Sequence, residues 1–415
     1  MKIALEGPRL LPRVGSTLPA ARSLPGCPAR LVVTEPADLQ SELGRGFLAG
    51  PPAGTDILAE LEAAGLRGRG GAGFPSHLKW RAVAAASGDA VVVANGHEGE
   101  PASAKDRWLM VNRPYLVLDG LLLAARAVGA SRAIVYLSDA HARESMSAAV
   151  AELRARGMLP GHLLVEVFTV EGGYVAGEET SVCRAINGGP PLPLAKPPRP
   201  FESGVDGLPT LVTNVETLAH AAWIRTHGAA EFTSLGTHSS PGTGLFTILG
   251  GPEPVILEAP LGTPLGELCR NAGVPLAPGS RILMGGWFGG LLAGGHDDLP
   301  CCYDAVRDAG SGLGCGSISV IDTDVDVLAM SVELAAWYAD ESAQQCGVCR
   351  KGTESIHQVL RACHSGDFSG AANLDRWGES LVRRGACGFL DGAAALARSV
   401  APIVASAHES ERNHA

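Results

Sequence analysis

A loop rich in glycine and arginine is the strongest chemical signal in this chain. The ten residues from Gly65 to Phe74 read GLRGRGGAGF and contain five glycines and two arginines. Glycine lets backbone N–H groups approach a ligand closely, and arginine adds positive charge. A helix predicted to follow Pro75 carries Lys79, and the positive end of a helix dipole also attracts anions. The segment therefore predicts a phosphate-binding loop.

The same loop formally matches a dinucleotide-binding fingerprint, with the spacing Gly68-x-Gly70-x-x-Gly73. Such a fingerprint follows a β-strand, whereas residues 56–64 predict a short helix that stops at Gly65. A plain surface loop is the competing interpretation, and the clustered cations favour ligand binding. We predict an anion cradle of another type, with the candidate residues Gly68, Arg69, Gly70, Gly71, Gly73 and Lys79.

Two acidic segments follow predicted strands and supply carboxylates. The first, NGHEGEP, contains Glu98 and Glu100; the second, YVAGEET, contains Glu178 and Glu179. Carboxylates at strand ends can accept hydrogen bonds from hydroxyl or amide groups of a ligand. The competing interpretations are a solvated turn for the first segment and, for the second, glutamates that complement a helix dipole.

Two further segments have structural interpretations of their own. KPPRP, at residues 196–200, predicts a stiff and extended stretch of chain. TNVET, which begins at Thr213, places Asn214 where it would cap the following helix. Capping explains Asn214 without any ligand contact.

Three of the ten cysteines have the spacing of metal ligands. Cys346 and Cys349 form a Cys-x-x-Cys pair at a predicted helix start, and Cys387 precedes a second predicted helix. Thiolates bind iron–sulfur clusters or zinc. A redox disulfide is the alternative, but it leaves Cys387 unexplained. The other cysteines lack such spacing and are interpreted as small apolar residues.

Alternating strands and helices are predicted to position the loop and the acidic segments. The predicted elements are strands at 90–94, 133–137 and 163–170 and helices at 76–86, 114–127 and 141–156. Such alternation predicts a mostly parallel sheet covered on both faces, with ligands beyond the carboxyl ends of its strands.

Changes in pattern along the chain predict four regions. They are an irregular N-terminal arm (1–55), an α/β domain (56–240), a small β-grasp-like domain (241–326) and a helical domain (327–415). The helices expected in the last region cover 327–340, 351–363, 374–384 and 393–405.

Composition narrows the class of protein. The chain has 415 residues, 46% of them hydrophobic, and a net charge of -10. The acidic excess argues against nucleic acid as a partner. The N-terminus shows no signal-peptide pattern, and the longest apolar run, residues 115–129, is too short and too often interrupted by charge to span a bilayer. We expect a soluble, cytoplasmic protein.

Taken in order, these motifs resemble the NADH-binding flavoprotein subunit of respiratory complex I. The diaphorase subunits of NAD-reducing hydrogenases and formate dehydrogenases are similar. GLRGRGGAGFPSHLKW resembles the nucleotide loop of the family, NGHEGEPASAKDR its acidic loop, and ADESAQQCGVCRKGTES its cluster motif, which usually reads ESCGxCxPCREG. YVAGEET, KPPRP, TNVETLA and LEAPLGTPLGELC also match. The resemblance covers the chain from about residue 56 onward.

The resemblance implies an α/β Rossmann-like FMN-binding domain, a small β-grasp (SLBB-like) domain and a C-terminal helical iron–sulfur domain. It implies an NADH dehydrogenase-type electron-entry flavoprotein. Such a protein takes a hydride from NADH or NADPH onto FMN and passes single electrons to a 4Fe-4S cluster. The next acceptor would be a 2Fe-2S or ferredoxin-type carrier protein. Any membrane contact would be indirect, through other subunits at the cytoplasmic face.

Roles for individual residues follow from motif position in the family. The FMN phosphate and ribityl chain are assigned to Gly68, Gly70, Gly71, Gly73 and Lys79, with Arg69 in the same loop. The flavin surroundings are assigned to Asn95, Glu98, Tyr174, Gly177, Glu178 and Asn214. Contacts with NADH are assigned to Phe74, by stacking, and to Glu100, Glu179 and Lys196. Glu98 and Glu179 are the residues predicted to be catalytic.

Four motif positions depart from the family pattern. The usual aspartate of the acidic loop is His97, an aromatic residue is replaced by Arg199, and an asparagine by Thr213. The arginine at position 199 leads to the hypothesis that the protein favours NADPH, which carries an extra phosphate. The fourth departure is Ala343, which stands where the family has its first cluster cysteine.

The missing cysteine leaves three outcomes open. They are a 4Fe-4S cluster with a fourth ligand other than cysteine, a 3Fe-4S cluster, and no cluster. Glu341, Gln344, Gln345 and water are the candidate replacements. The three retained cysteines favour a bound cluster. Two functional alternatives also stay open: a stand-alone diaphorase that reduces a ferredoxin, and a degenerate nucleotide-binding or assembly subunit with little activity.

Overall fold

The computed structural model describes residues 10–50, 55–86 and 88–414. Within these ranges the strands are β1 (Ala20–Ser23), β2 (Ala90–Asn95), β3 (Ala130–Leu137), β4 (Leu164–Thr169), β5 (Thr210–Asn214), β6 (Thr243–Leu249), β7 (Val255–Pro260), β8 (Arg281–Met284), β9 (Leu291–Leu292) and β10 (Ser317–Ile321).

The α-helices of the same ranges are α1 (Leu39–Gly44), α2 (Ile57–Ala63), α3 (Ser76–Ala84), α4 (Lys105–Asn112), α5 (Pro114–Val128), α6 (Ala140–Ala155), α7 (Glu179–Ile186), α8 (Val215–His227), α9 (Ala229–Thr233), α10 (Leu265–Asn271), α11 (Tyr303–Asp308), α12 (Val327–Glu341), α13 (Gly347–His364), α14 (Ala372–Ser380) and α15 (Phe389–His414). Two short 3-10 helices lie at Tyr174–Gly177 and Val205–Gly207.

The first sheet is parallel, in the order β4-β3-β2-β5. Side chains alternate across it, as they must in any strand. In β2, Val92 and Ala94 pack with helices α5 and α8 on one face, while Val91 and Val93 pack with α7 on the other. The predicted two-faced parallel sheet is therefore confirmed. Asn95 and Asn214 end their strands side by side in register.

The second sheet is mixed and has the order β1-β7-β6-β10-β8-β9. Strand β1 comes from the segment predicted to be an irregular arm, and it pairs in parallel with β7. A buried carboxylate secures this segment: Glu258 Oε2 accepts hydrogen bonds from the N–H groups of Arg30, Leu31 and Val32 at 3.0, 2.9 and 3.0 Å. The prediction of an irregular arm was wrong for β1 and α1, because long-range pairing leaves no local periodicity.

The C-terminal region is helical, as predicted, but two of its helices are longer than expected. Helix α13 begins at Gly347, directly after Cys346, and α15 runs from Phe389 to His414. By length and composition, α15 is the one helix of the described ranges that could cross a membrane, and 56% of that stretch is buried inside the protein. Packing against α12, α13 and α14 accounts for its apolar side. The predicted domain boundaries stay predictions.

Candidate functional site

A cavity of about 520 Å³ lies beyond the carboxyl ends of β2 and β5. This is where parallel α/β sheets place their ligands, and the size is typical of a cofactor pocket. The second sheet supplies part of the wall through Gly285, Phe288 and Cys315, and the helical region supplies Cys387 and Phe389. All three folded regions therefore close around one site.

The glycine loop, residues 65–74, forms one wall of the cavity. Its ends are joined by a hydrogen bond from the Gly68 N–H to the Phe74 carbonyl at 2.8 Å. Tyr303 holds the loop from outside: its hydroxyl donates to the Gly68 carbonyl at 2.8 Å. Gly73 has a φ of +60°, and a Cβ atom there would lie 2.7 Å from the Tyr303 ring. Glycine is thus required at that turn. Helix α2 precedes the loop, so the rejection of a Rossmann fingerprint is confirmed.

Arg69 does not reach the cavity, although its motif position predicts a cofactor contact. Its guanidinium donates to the carbonyls of Thr243 at 3.0 Å, Arg67 at 3.2 Å and Pro241 at 3.4 Å. The side chain is 4% exposed. Buried carbonyls need donors, so Arg69 ties the loop to strand β6 and does not line the cavity.

The acidic loop begins at the end of β2. Asn95 Nδ2 donates to the Gly177 carbonyl at 2.8 Å, which joins this loop to the second acidic segment. Glu98 accepts hydrogen bonds from the Ser103 hydroxyl at 2.6 Å and from the N–H groups of Asp106 and Arg107 at 3.2 and 3.1 Å. Glu98 therefore lines the cavity while it also secures the start of α4.

Glu100 is buried, and burial raises its pKa to about 8. Its Oε1 atom accepts hydrogen bonds from the N–H groups of Ala102 at 3.3 Å and Trp287 at 3.2 Å. These bonds favour the charged form but do not offset the desolvation. The cavity thus contains a carboxyl group that titrates near neutral pH.

The second acidic segment lies in a network of charges. Glu178 caps α7 by accepting from the N–H of Thr180 at 2.8 Å. Lys196 Nζ lies 2.6 Å from Glu178 and 3.2 Å from Glu179, and Lys79 Nζ lies 3.0 Å from Glu179. Burial alone would raise the pKa of Glu179, but the two lysines outweigh it and hold that pKa below its usual value. Glu179 is therefore a carboxylate at neutral pH.

A buried charge cluster lies beside the cavity, formed by motif residues to which the sequence analysis gave no role. Lys105 Nζ lies 2.7 Å from Asp106 and 2.9 Å from Glu216. Asp106 accepts from Asn214 Nδ2 at 2.7 Å. Asn214 Oδ1 in turn accepts from the Glu216 N–H at 3.0 Å, which confirms the predicted cap of α8. The Asn214 side chain is thus fixed by both of its polar atoms.

Most of the predicted site residues come together at this cavity. Those that line it are Gly68, Gly70, Gly71, Gly73, Phe74, Lys79, Asn95, Glu98, Glu100, Tyr174, Gly177, Glu178, Glu179 and Asn214. Lys196 lies behind the wall and contacts it through Glu178 and Glu179. The lining residues that sequence reasoning missed include Ser76, Trp80, Ser103, Asp106, Thr217, Gly285, Phe288, Gly314, Cys315 and Phe389.

The cavity fits the FMN expected from the resemblance. Ser76 and Trp80 line it, and among the described residues Ser76 Oγ and Trp80 Nε1 are buried without a hydrogen-bond partner. A ligand rich in oxygen would satisfy both. Gly71 has a φ of +127°, and a Cβ atom there would meet nothing within 4 Å. At Gly71 the wall thus consists of backbone without a side chain. The backbone N–H groups of the loop and Lys79 can donate hydrogen bonds there, which suits a phosphate.

The three cluster cysteines lie close together at the far side of the cavity. Burial is the main cause that raises the pKa of Cys349 to about 11, and the thiols of Cys346 and Cys387 add to it. Cys387 also lines the cavity. No set of three or more His, Cys, Asp or Glu side chains in the described ranges is arranged around a single metal ion. Thiolates are the usual ligands of iron–sulfur clusters, so the chain offers three donors of the right type here, and position 343 supplies no fourth sulfur.

Comparison with known proteins agrees with this geometry. Residues 61–223 match the family model described as the Nuo51 FMN-binding domain, and residues 329–402 match that of the NADH-ubiquinone oxidoreductase-F iron-sulfur binding region. The F 2 subunit of the NADH-quinone oxidoreductase of Rhizobium meliloti is 34% identical over 75% of this chain and 77% of its own length. The corresponding F protein of Streptomyces coelicolor is 32% identical over 82% and 79%.

A solved structure extends the match to the fold. A chain of an NAD+-reducing [NiFe]-hydrogenase in the H2-reduced state superposes with a TM-score of 0.80 at 30% identity, over 91% of this chain and 67% of that one. The two family models fall on the parallel-sheet region and on the helical region, which are the two regions that contribute the glycine loop and the three cysteines. The chain therefore belongs to the family of NADH-quinone oxidoreductase F subunits.

Proposed function

We propose that this chain is an electron-entry flavoprotein that oxidises NADH at FMN and delivers single electrons through an iron–sulfur cluster. The observation that carries the proposal is the position of Cys387, which lines the nucleotide cavity and also belongs to the cysteine group. A flavin accepts two electrons together and releases them singly, and a cluster carries one at a time. The cavity brings the two kinds of site together.

The residues of the chain bind and orient the reactants. Backbone N–H groups of the glycine loop and Lys79 would hold the FMN phosphate. Trp80 Nε1 and Ser76 Oγ, which have no other partner among the described residues, would donate to phosphate or ribityl oxygens. Asn95 and Asn214, fixed at neighbouring strand ends, would orient the flavin ring. Placing the reacting atoms in line is the main contribution of the protein.

The roles of the two glutamates predicted to be catalytic differ. Glu98 accepts three hydrogen bonds from the chain, and we propose that it fixes the acidic loop against the flavin. Glu179 is ionised and flanked by Lys79 and Lys196. We propose that Glu179 accepts a hydrogen bond from NADH and orients its nicotinamide.

The acceptor is proposed to be a 2Fe-2S or ferredoxin-type protein that contacts the surface beside the cysteines. Val348, between Cys346 and Cys349, is 45% exposed, so a partner can approach this edge closely. The named relatives are subunits of larger enzymes, which favours a complex over a stand-alone diaphorase. Membrane association would then be peripheral and through other subunits. Composition of the proteins that co-purify with the chain would separate these two arrangements.

A spectroscopic experiment tests the activity. The purified chain is expected to show flavin absorption bands that bleach when NADH is added, and to reduce ferricyanide with turnover. A colourless protein that does not bind added FMN would exclude the proposal. Retained FMN without bleaching would favour the alternative of a degenerate nucleotide-binding module.

Phe74 is expected to stack on the nicotinamide nucleotide, because its ring lines the cavity and is 53% exposed. Stacking of a base on an aromatic ring is worth about 1–3 kcal/mol. Phe74→Ala should therefore raise KM for NADH by about tenfold or more, with kcat changed much less. Leu78→Ala is the control, since Leu78 is 46% exposed but does not line the cavity. Equal kinetics of the two variants would contradict the assignment.

Arg199 is the residue on which the proposal of NADPH as a second nucleotide rests. Its guanidinium lies 4.0 Å from Glu179, beside Lys196, and its side chain is 56% exposed. We infer that the exposed Arg199 guanidinium accepts the additional phosphate of NADPH. Arg199→Ala should lower kcat/KM for NADPH by about tenfold and leave that for NADH within about twofold. A strong preference of the native protein for NADH, unaffected by the substitution, would refute this inference.

A further inference from the structure

The connection between α12 and α13 ends at Cys346, and Cys349 lies in the first turn of α13, but the family's first cluster cysteine is missing. Alanine stands at position 343, and its side chain is partly buried against the helical core. The next residue, Gln344, has a φ of +56°, at the position where the usual motif has glycine. The backbone at this position thus adopts the left-handed conformation that glycine favours.

The polar side chains nearest in sequence are bound elsewhere. Gln344 Nε2 donates to the Ala339 carbonyl at 3.1 Å. Gln345 Nε2 donates to the Pro193 carbonyl at 2.7 Å, and its Oε1 accepts from Arg184 at 3.1 Å.

The Glu341 carboxylate also has a hydrogen-bond partner elsewhere in the chain. Its Oε2 accepts from the Tyr174 N–H at 3.0 Å and therefore faces the second acidic segment. Each of the three candidate replacement ligands is thus held by a described hydrogen bond to another group of the chain.

Ser342 places a hydroxyl group beside one of the cysteines. Its hydroxyl lies 3.5 Å from Cys349 Sγ and accepts from the Gln344 N–H at 3.3 Å. However, it aligns with the serine that precedes the first cysteine in the usual motif, so it occupies a different motif position from the missing ligand. Its contacts are those of a group that hydrogen-bonds a ligand sulfur, as outer partners of metal sites do.

Solvent can reach the corner that the missing cysteine would cover. Gln344, Gln345, Gly347 and Val348 are all exposed. An iron without a protein ligand at this edge would therefore be accessible to water and to chelators.

We propose that the cluster is held by Cys346, Cys349 and Cys387 alone, so that one of its irons has an exchangeable, non-protein ligand. The inference rests on the proposed function only in that it assumes a cluster at these cysteines. An iron so bound is labile to oxidation. A one-electron oxidant such as ferricyanide takes one electron, and [4Fe-4S]2+ then yields [3Fe-4S]+ and one free Fe2+.

The full chain, purified without oxygen, is treated with ferricyanide and passed through a desalting column. Iron per protein and the EPR spectrum are recorded before and after. The native protein is expected to lose about one iron of the four and to gain the EPR signal of an oxidised 3Fe-4S cluster. Added Fe2+ with a reductant should reverse both changes. Ala343→Cys should keep its iron and show no such signal.

The Ser342→Ala variant tests the remaining interpretation, in which Ser342 is the fourth ligand of the cluster. It should behave like the native protein under this proposal. Native protein that keeps four irons, with iron lost only in Ser342→Ala, would assign the corner to serine and overturn the proposal. Equal iron loss in native protein and Ala343→Cys, or no iron in either, would overturn it as well. FMN content and bleaching by NADH, recorded on the same samples, distinguish these failures from a failure of the proposed function.

Discussion

Replacing Gly73 with alanine is expected to weaken FMN binding by about tenfold or more. The residue has a φ of +60°, and the added Cβ would lie 2.7 Å from two ring carbons of Tyr303. The variant loop is expected to move away from Tyr303, and returning it to the geometry that binds FMN would cost about 1–3 kcal/mol, where about 1.4 kcal/mol is a factor of ten in affinity. Displacement of Tyr303 would also release its hydrogen bond to the Gly68 carbonyl. Titration of the FMN-free protein with FMN, followed by flavin fluorescence, measures the effect.

Gly157→Ala is the matched control for this substitution. Gly157 follows α6, has a φ of +67°, and offers open space to a Cβ atom. An alanine at this position therefore adds comparable backbone strain away from the cavity. We expect a lower melting temperature but an FMN affinity within about twofold of native. If both variants bound FMN as native protein does, the glycine loop would not be the phosphate site.

Glu100→Gln is expected to stabilise the FMN-free protein increasingly as pH rises. Burial raises the pKa of Glu100 from about 4.5 to about 8, so between these values the folded state retains a proton that the unfolded state has lost. The free energy of unfolding of native protein must then fall with pH in this window. Each pH unit of pKa corresponds to about 1.4 kcal/mol, so the gain should reach a few kcal/mol above pH 8.

Melting temperatures of both proteins measured from pH 4 to pH 9 would show the effect. The curves should meet near the acid end and diverge toward the alkaline end. Glu35→Gln, at an exposed glutamate, controls for the loss of one carboxylate and should follow the native curve. A constant difference between Glu100→Gln and native at all pH values would show that Glu100 ionises normally in the folded state.

The sequence predicted the parallel sheet and the loops that end its strands, because local alternation and glycine-rich turns leave clear signals. It could not predict the rest of the cavity wall. Phe288 and Cys315, which line the cavity, and Tyr303, which supports the glycine loop from outside, lie in a different region of the chain. Their segments have no recognisable motif. Their contribution depends on how the second sheet packs against the first, and that long-range packing has no signature in a single sequence.

Arg69 shows a second limit of motif reasoning. Its position in the glycine loop predicts a phosphate contact, yet its guanidinium satisfies three backbone carbonyls. The choice between ligand and backbone depends on which acceptors are buried nearby, and these acceptors lie up to 174 residues away in sequence. Ser76 and Trp80 are the opposite case, because the motif predicted no ligand contact for them. Their buried side-chain donors lack a partner among the described residues, and this can be recognised only from the structure.

Cys387 faces the nucleotide compartment and belongs to the sulfur group behind it. A cluster held by Cys387 would therefore lie behind a residue that itself lines the cavity proposed for the flavin. Electron tunnelling slows exponentially with distance, so a flavin and a cluster bound on either side of Cys387 would exchange electrons without a moving carrier. Turnover should accordingly be indifferent to solvent viscosity up to the point where nucleotide exchange becomes slow.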